Sequence, residues 1–208
     1  MALARKRTLT QTLQKAVTLL TAAAALSPIA AAEDEPDLSW LDRPALEAGV
    51  VLVQTDRGVR PLTVQVKLAT LVDASAQAIW DVLTACQIAP EYVPNVTSCR
   101  SLEVIAEGKA ELFIQTVKPA FFLPTFEHVF RLDYEPYRRI DVHRVSGPLA
   151  YMEGSWWLMP QADGRILLVH QLAVDPGLPV PRFFVRATLK RDLPRVMEAV
   201  RERAQAAL

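Results

Sequence analysis

The feature that most constrains this sequence is its C-terminal stretch, residues 179–208, which has the pattern of one long amphipathic helix. From residue 185 onward, apolar side chains recur at helical spacing on one face: Val185, Leu189, Leu193, Val196, Val200 and Ala204. Charged side chains occupy the opposite face: Lys190, Arg191, Arg195, Glu198, Arg201 and Glu202. Burying such a stripe contributes on the order of 10 kcal/mol before conformational entropy is counted, so the helix requires a large apolar partner.

The length and composition favour one globular domain. The chain has 208 residues, of which 51% are hydrophobic and 22% charged, which suits one well-cored domain and is short for two. Residues 33–48 are acidic and contain proline, so we expect a flexible lead there. The folded domain is then predicted over residues 49–208.

The N-terminus has the three parts of a secretory signal peptide. Residues 5–7 are basic, 16–26 form an apolar run, and 30–32 are small residues suited to cleavage. We therefore expect a signal peptide over residues 1–32, cleaved near Ala32, and export of the mature protein into a bacterial periplasm. The alternative is that the segment remains as an anchor, although its apolar run is shorter than the ~20 residues that span a bilayer.

The charge balance of the predicted mature chain limits its partners. Removing residues 1–32 leaves 19 Lys and Arg residues against 23 Asp and Glu residues, a net charge of −4. A chain of this kind lacks the basic surface that nucleic-acid binding requires. Its C-terminal helix is locally basic, however, and a transient contact with anionic lipid is compatible with that pattern. The sequence indicates no particular protein partner or oligomeric state.

The two cysteines, Cys86 and Cys99, have two interpretations. Export would place them in an oxidising compartment, where disulfides form and persist. A turn-rich stretch separates them and could bring them together. The alternative is a pair of small buried hydrophobic side chains, and spacing in the sequence does not decide between the two.

The first part of the predicted domain contains a hairpin and a short helix. The runs 50–55 and 62–72 are rich in β-branched residues and are joined by a turn. A helix follows, with Asp73 or Ser75 as its N-cap. The side chains expected on its buried side are Ile79, Val82, Leu83 and Cys86, with Trp80 at the margin. Residues 87–96 contain two prolines and are predicted to be an irregular loop.

The chain between that loop and the long helix predicts an antiparallel meander. The expected strands are 98–106, 110–117, 125–134, 139–145, 152–159 and 166–174, separated by short turns. Apolar and polar residues alternate along them, as with Leu112 and Ile114 against Glu111 and Gln115. The apolar sets on the later strands are Phe126, Phe130 and Leu132, then Trp156 and Leu158, then Ile166, Leu168 and Leu172. One face of the sheet is therefore predicted to be apolar and the other solvated.

Together these elements predict an α+β domain. A curved antiparallel sheet of about seven or eight strands wraps around the long C-terminal helix, and a short helix follows the first strands. A cavity remains between the sheet and the long helix unless large side chains fill it. Pro194 falls inside that helix and predicts a bend, with residues 183–193 bordering the cavity and 196–204 closing the core.

Five short strings occur in order along these predicted elements. They are Asp73-Ala74-Ser75 with Ile79-Trp80-Asp81-Val82-Leu83; Tyr92-Val93-Pro94-Asn95-Val96; Ser146-Gly147-Pro148-Leu149; Glu153-Gly154-Ser155-Trp156; and Pro179-Val180-Pro181-Arg182-Phe183-Phe184-Val185 leading to Arg191-Asp192-Leu193. With these strings the chain resembles, over residues 64–204, the START-like helix-grip (SRPBCC) superfamily, which includes the polyketide cyclase/dehydrase and coenzyme Q-binding START-domain families. The helix-grip fold is what this resemblance implies.

The resemblance also implies a deep apolar pocket for a lipid-like or polycyclic ligand. The residues expected to contact that ligand are Phe113, Phe121, Phe122, Phe126, Phe130, Trp156, Phe183, Phe184 and Leu189. The apolar tip 119–124, between two strands, is predicted to cover the pocket mouth or touch a membrane, with folding back onto the core as the alternative. Because members of the superfamily include lipid carriers, quinone binders and cyclases, the fold does not choose the function.

Few signals for catalysis occur in the sequence. It has no Gly-x-Ser-x-Gly elbow and no glycine-rich phosphate loop, and its histidines lack metal-ligand spacing, so we expect no metal and no cofactor. His128 and His170 share strand parity with apolar neighbours and could point inward. If the pocket is catalytic, His128, Arg144 and His170 are the candidates, because burial shifts a pKa. The alternative is that they anchor a ligand head group or pair with a strand neighbour.

The sequence therefore predicts an exported carrier that binds a hydrophobic ligand between the sheet and the C-terminal helix. Lipids, isoprenoid quinones and polycyclic molecules are the ligand classes considered. A polyketide cyclase/dehydrase-like enzyme, using polar residues of the same pocket and no metal, is the alternative. A structural module with a filled core is a third hypothesis, which a cavity would argue against.

Overall fold

The computed structural model describes residues 35–57, 62–118, 124–177 and 180–207, and the predicted signal peptide lies outside them. The helices are α1 (Arg43–Glu47), α2 (Ala76–Thr84), α3 (Ala89–Tyr92) and α4 (Arg182–Ala206). The strands are β1 (Leu52–Arg57), β2 (Val64–Val72), β3 (Val96–Ile105), β4 (Ala110–Val117), β5 (Phe126–Glu135), β6 (Arg139–Ser146), β7 (Tyr151–Pro160) and β8 (Ile166–Asp175). This order confirms the α+β fold predicted from the sequence.

All eight strands form one antiparallel sheet in the order β1-β2-β8-β7-β6-β5-β4-β3. From β3 to β8 each strand pairs with the next one in the chain, as the short turns predict. The last strand, β8, then pairs with β2, which brings the initial hairpin beside the end of the meander. The edges of the sheet are therefore β1 and β3.

The C-terminal helix α4 packs over the β1 and β2 end of the sheet and also contacts α2 and α3. Its buried apolar residues lie in its second half: Val196, Met197, Val200 and Ala204. They share a core with Leu68 and Leu168 of the sheet and Ile79 of α2. The helix continues as one element through Pro194. No helix in the described parts of the chain is both long and apolar enough to cross a bilayer.

The segment before β1 differs from the flexible lead predicted for residues 33–48. Within its described part, α1 is capped by Asp42, whose Oδ1 accepts a hydrogen bond from the Ala45 amide at 3.1 Å. Leu46 is 0% exposed. It joins a cluster on the face of the sheet opposite α4, formed by Ala69, Leu71, Leu167 and Val169.

The physical reason is that β2 and β8 carry apolar side chains on both faces. A central strand with apolar side chains on both faces must be packed against other parts of the protein on both sides of the sheet. The expectation of one wholly solvated face is therefore wrong at β2 and β8, and Trp157 of β7 packs there too. Residues 36–48 provide the second cover.

The region after α2 also differs from the sequence prediction. Residues 87–96 were expected to be irregular, but they contain part of a 3-10 turn (Cys86–Ile88) and the short helix α3. Pro90 lies in the first turn of α3. Backbone amides there have no intrahelical acceptor, so proline, which lacks the amide proton, costs the helix no hydrogen bond. At the start of α2, Ser75 is confirmed as the N-cap, since its hydroxyl accepts from the Ala78 amide at 3.1 Å.

Candidate ligand-binding cavity

A cavity of about 200 Å³ lies between the concave face of the sheet and the helices. Its walls come from α2, the α3 region, strands β3 to β8 and the middle of α4. The lining residues are Leu83, Thr84, Cys86, Ala89, Tyr92, Val93, Cys99, Phe113, Gln115, His128, Phe130, Leu132, Ile140, Val142, Met152, Trp156, His170, Leu172, Leu193 and Val196. Most of these side chains are apolar, and the polar ones are Thr84, Tyr92, Gln115, His128 and His170.

The strand register explains which side chains reach the cavity. Phe113 on β4 is the direct partner of Phe130 on β5, and their rings stack with centroids 5.7 Å apart. Gln115 is likewise the partner of His128. The sequence pattern placed Leu112 and Ile114 on the apolar side of β4 and Gln115 on the other, which is wrong. Gln115 shares the parity of Phe113, so both side chains face the cavity, where Gln115 pairs with His128.

His170, on β8, lies in the floor of the cavity and is 4% exposed. Its Nδ1 lies 3.1 Å from the carbonyl oxygen of Ser155, which can only accept, so Nδ1 carries the proton and donates. Its ring stacks on Trp156, with centroids 3.7 Å apart and planes inclined by 13°. Burial lowers the pKa of His170 to about 4, so the ring is neutral at neutral pH.

His128, on β5, lies in the wall and is 7% exposed. Its Nε2 lies 3.1 Å from Oε1 of Gln115, and its other ring nitrogen, Nδ1, is buried without a hydrogen-bond partner. The ring stacks on Phe130, with centroids 5.4 Å apart. Burial lowers the pKa of His128 to about 4, so this ring is neutral as well.

The hydroxyl groups of the cavity wall donate to helix carbonyls. Thr84 Oγ1 donates to the Trp80 carbonyl at 2.9 Å, and Tyr92 Oη donates to the Val82 carbonyl at 3.2 Å. Burial raises the pKa of Tyr92 to about 12, so the phenol keeps its proton at neutral pH. Both hydroxyl oxygens remain able to accept a hydrogen bond from a ligand.

A disulfide forms part of the wall. Cys86 and Cys99 are bonded, with Cα atoms 5.3 Å apart, and both residues line the cavity. Of the two interpretations that the sequence left open, the structure has the disulfide. It connects the corner after α2 to the edge strand β3.

The structure brings some of the predicted ligand contacts together and not others. Phe113, Phe130 and Trp156 line the cavity. Phe121 and Phe122 lie outside the described residues, and so does most of the apolar tip 119–124.

The remaining predicted contacts do not line the cavity. Phe126 packs edge-on against His128, with ring centroids 6.2 Å apart, and Leu189 packs against the core beneath α4. Phe183 and Phe184 are 74% and 46% exposed. In the first turns of α4 it is Val185 and Leu189 that pack against the core, and the described α4 residues that line the cavity are Leu193 and Val196.

Of the three candidates for catalysis, two line the cavity and one does not. His128 and His170 both line the cavity, as their strand parity predicts. Arg144 does not: its Nη2 donates to the Gly147 carbonyl at 2.7 Å, and its Nε is buried without a partner. Among the described residues, no group of three or more His, Cys, Asp or Glu side chains could hold a metal ion.

Sequence reasoning missed several lining residues. Thr84 and Tyr92 come from the helical region. Val142 and Met152 come from strands for which the sequence predicted the bounds but not these inward-facing residues. A signal for the strand residues exists, because Val142 has the parity of Ile140, and Met152 has the parity of Trp156. No comparable signal exists for Thr84 and Tyr92, because they reach the cavity through the tertiary arrangement of α2 and α3.

An antiparallel sheet closed by one long helix, with an apolar cavity between them, defines a helix-grip domain. Residues 72–201 match the family described as "Polyketide cyclase / dehydrase and lipid transport", which is more than half of the chain, and the protein belongs to this family. The resemblance to the START-like superfamily is thereby confirmed. A search of curated proteins finds no match.

Solved structures share the fold at low sequence identity. The STAR-related lipid transfer protein from Xanthomonas axonopodis has a TM-score of 0.65 at 16% identity, over 74% of this chain and 93% of that chain. The Zhui aromatase/cyclase from Streptomyces sp. R1128 has a TM-score of 0.58 at 20% identity, over 69% and 94%. Human STARD10 has a TM-score of 0.60 at 11% identity, over 79% and 80%. At these identities the similarity establishes the fold alone.

Proposed function

We propose that this protein is an exported carrier that binds a hydrophobic small molecule, or the ring of a larger lipid, in the cavity beneath α4. The observation that carries the proposal is the cavity itself. Its lining is mainly apolar, and none of its described lining residues is Lys, Arg, Asp or Glu. Family membership supports it, since similar structures include a lipid transfer protein. Isoprenoid quinones and polycyclic molecules fit this description.

The size of the cavity limits the part of the ligand that it encloses. An apolar cavity of about 150 Å³ is enough to bind benzene. The cavity here has a volume of about 200 Å³, which suits one or two fused rings. A long acyl or isoprenoid chain would therefore extend past the described walls while its head ring is enclosed.

Export is the second part of the proposal. The pattern of residues 1–32 is that of a signal peptide, and the Cys86–Cys99 disulfide supports an oxidising compartment such as a periplasm. The exposed Phe183 and Phe184 at the start of a basic helix support a transient membrane contact. Fractionation of cells that express the full chain tests export directly: mature protein that begins near residue 33 in the periplasmic fraction is expected, and an unprocessed cytoplasmic chain would contradict it.

Ligand binding is tested by extracting the purified protein with organic solvent and analysing the extract by mass spectrometry. We expect a hydrophobic compound in a fixed ratio to protein. The informative variant is Val142→Phe, which places extra volume in the cavity wall. Its matched control is Val145→Phe, on the same strand at a position that is 48% exposed.

The compound should remain in Val145→Phe and be depleted in Val142→Phe. Absence of any such compound from the wild-type protein, together with no binding of added hydrophobic probes, would reject the carrier proposal. Equal recovery from both variants would place the ligand elsewhere on the protein.

A cyclase or dehydrase-like enzyme is the second candidate function. The observation that favours it is the presence of two buried neutral imidazoles, His128 and His170, in the wall of one cavity. A neutral imidazole can accept a proton from a bound substrate. The test is turnover of an aromatic polyketide precursor, in which His128→Phe and His170→Phe should each lower the rate by at least about a hundredfold if they act as general bases. Unchanged rates in both variants would eliminate this candidate.

A further inference from the structure

The polar atoms of the cavity are mostly hydrogen-bond acceptors, and this limits the chemistry of the ligand. His170 shows it most clearly. Because Nδ1 of His170 donates to the Ser155 carbonyl, its Nε2 is the unprotonated nitrogen. No hydrogen bond from a described residue reaches that nitrogen. A ring that is 4% exposed and lines the cavity therefore carries one unused acceptor.

His128 provides a second acceptor. With the amide oxygen of Gln115 facing the ring, Nε2 of His128 must donate, which leaves Nδ1 unprotonated. That Nδ1 is buried and has no hydrogen-bond partner. A buried polar atom left without a partner is destabilising and rare in folded proteins, and a ligand group that pairs with it removes the deficit.

The other polar side chains of the lining reinforce this bias. The hydroxyl protons of Thr84 and Tyr92 are used in hydrogen bonds to helix carbonyls, so only their lone pairs remain. The Gln115 amide nitrogen is the exception, as it can donate. Acceptors therefore outnumber donors around the cavity.

The lining also argues against a charged ligand. It contains no Lys, Arg, Asp or Glu among the described lining residues. A carboxylate or phosphate placed there would lose its hydration without gaining a counter-ion, and it would face the lone pairs of two imidazoles. A cation would lack an acidic partner in the same way.

We propose that the cavity selects neutral hydrophobic ligands that carry a hydroxyl group, a phenol or an alcohol, whose O–H donates to Nε2 of His170, with Nδ1 of His128 as a second acceptor. This inference rests on the proposed carrier function and adds the functional group that the cavity recognises. Both imidazoles are neutral at neutral pH, because burial depresses their pKa values. The stack on Trp156 holds the His170 ring in position for such a hydrogen bond.

The experiment measures the affinity of the wild-type mature domain for four probes with one ring system, by calorimetric titration at neutral pH. The probes are 2-naphthol, naphthalene, 2-methoxynaphthalene and 2-naphthoate. We expect 2-naphthol to bind about tenfold tighter than naphthalene and 2-methoxynaphthalene, which is the effect of one well-formed hydrogen bond in a buried site. The ether retains the oxygen but not the proton, so it separates hydrogen-bond donation from polarity. We expect 2-naphthoate to bind more weakly than naphthalene.

The variant His170→Phe tests the residue, because phenylalanine keeps a ring against Trp156 and removes both ring nitrogens. We expect it to bind 2-naphthol and naphthalene with affinities within about threefold of each other, while its naphthalene affinity stays close to that of the wild type. The matched control is His143→Phe on β6, whose side chain is 48% exposed and lies outside the cavity lining. This control should keep the full preference for 2-naphthol.

The outcomes separate the two levels of the argument. If no probe binds the wild-type domain, the inference is wrong, and the carrier proposal fails as well if the organic extract of the purified protein contains no hydrophobic compound. If naphthalene and 2-naphthol bind equally well, or if 2-naphthoate binds best, the hydroxyl inference is wrong while the carrier proposal stands. If 2-naphthol is preferred but His170→Phe retains the preference, His170 is not the acceptor. Should His170→Phe fail to fold, the ratios among the four probes on the wild type still decide the ligand class.

Discussion

Trp156 and His170 stand opposite each other on β7 and β8, with ring centroids 3.7 Å apart and planes inclined by 13°. The imidazole also donates from Nδ1 to the carbonyl of Ser155, the residue before Trp156. One strand therefore fixes both the plane and the tautomer of the histidine on the next. The hydrogen bond to Ser155 raises the pKa of His170, but burial lowers it by more, so the ring is neutral at neutral pH.

The first expected consequence is a loss of stability in mild acid. Burial lowers the pKa values of His128 and His170 to about 4, whereas in the unfolded chain they titrate near 6.5. Between those values the unfolded chain binds more protons, so the free energy of unfolding decreases as the pH falls, by roughly 3 kcal/mol per histidine. Chemical denaturation at neutral pH and near pH 4.5 measures the change.

The variant His170→Phe should lose about half of that dependence on pH, since it leaves only His128. The exposed Val145 provides the comparison, and Val145→Phe should retain the whole dependence. If the free energy of unfolding of the wild-type protein is the same at the two pH values, the pKa values of His128 and His170 are not lowered in the folded state.

A second expectation concerns Gly147, at the turn between β6 and β7. It has φ of +117°, and a Cβ there would lie 2.7 Å from His128 Cβ and 2.8 Å from His128 Cα. Gly147→Ala should therefore combine backbone strain with a clash against the cavity wall and destabilise by roughly 3 kcal/mol.

Gly164 is the matched control for this substitution. It also has a positive φ, +89°, but a Cβ there meets nothing within 4 Å. Gly164→Ala should cost only the strain, about 1 kcal/mol. Thermal denaturation of both variants measures the difference, and equal losses would mean that the contact with His128 is unimportant.

The disulfide supplies a third expectation. Cys86 and Cys99 are 13 positions apart in the sequence, and a loop of this length predicts a stabilisation of about 3 kcal/mol from the restricted unfolded chain. The double variant Cys86→Ala with Cys99→Ala should show that loss in denaturant titrations without reductant. Wild-type protein treated with reductant is the internal control and should match it. Titration of the denatured, unreduced wild type should detect no free thiol.

A fourth expectation tests the cover formed by residues 36–48. Leu46 is 0% exposed, and it packs on the sheet with Leu71 and Val169. Leu46→Ala should destabilise the domain by roughly 2–5 kcal/mol through the cavity it leaves. Leu62→Ala, at a position that is 61% exposed, should change stability by no more than about 0.5 kcal/mol. A neutral Leu46→Ala would mean that the segment is dispensable for folding.

The order of elements was predictable because periodicity records burial on strands and helices that have one apolar face. The same parity placed His128 with Phe130 and Leu132, which is why the cavity histidines were found from the sequence. On β4 the wrong face was chosen, because Leu112 and Ile114 are apolar, yet Phe113 and Gln115 are the residues that point inward. A polar residue can lie on an apolar face when a partner such as His128 meets it, and that partner belongs to another strand.

The other failures share a physical cause, because they depend on which surface lies opposite. Leu46 belongs to a segment whose acidic residues and prolines predicted a flexible lead, and it is buried because β2 and β8 have a second apolar face. Phe183 and Phe184 look like cavity residues by composition, yet α4 covers the β1 and β2 end of the sheet and leaves them exposed. The local sequence pattern of a helix does not predict which part of a sheet the helix will cover.

The two ends of the sheet are held by different means. At the β1 and β2 end, the second half of α4 is packed into the core, whereas at the β3 edge the disulfide ties the strand to the corner after α2. Non-covalent packing does not depend on redox conditions, whereas a disulfide can be broken by reduction. We therefore expect retention of a bound molecule to depend on the compartment: transfer from an oxidising to a reducing environment would loosen the β3 side and leave the α4 side closed.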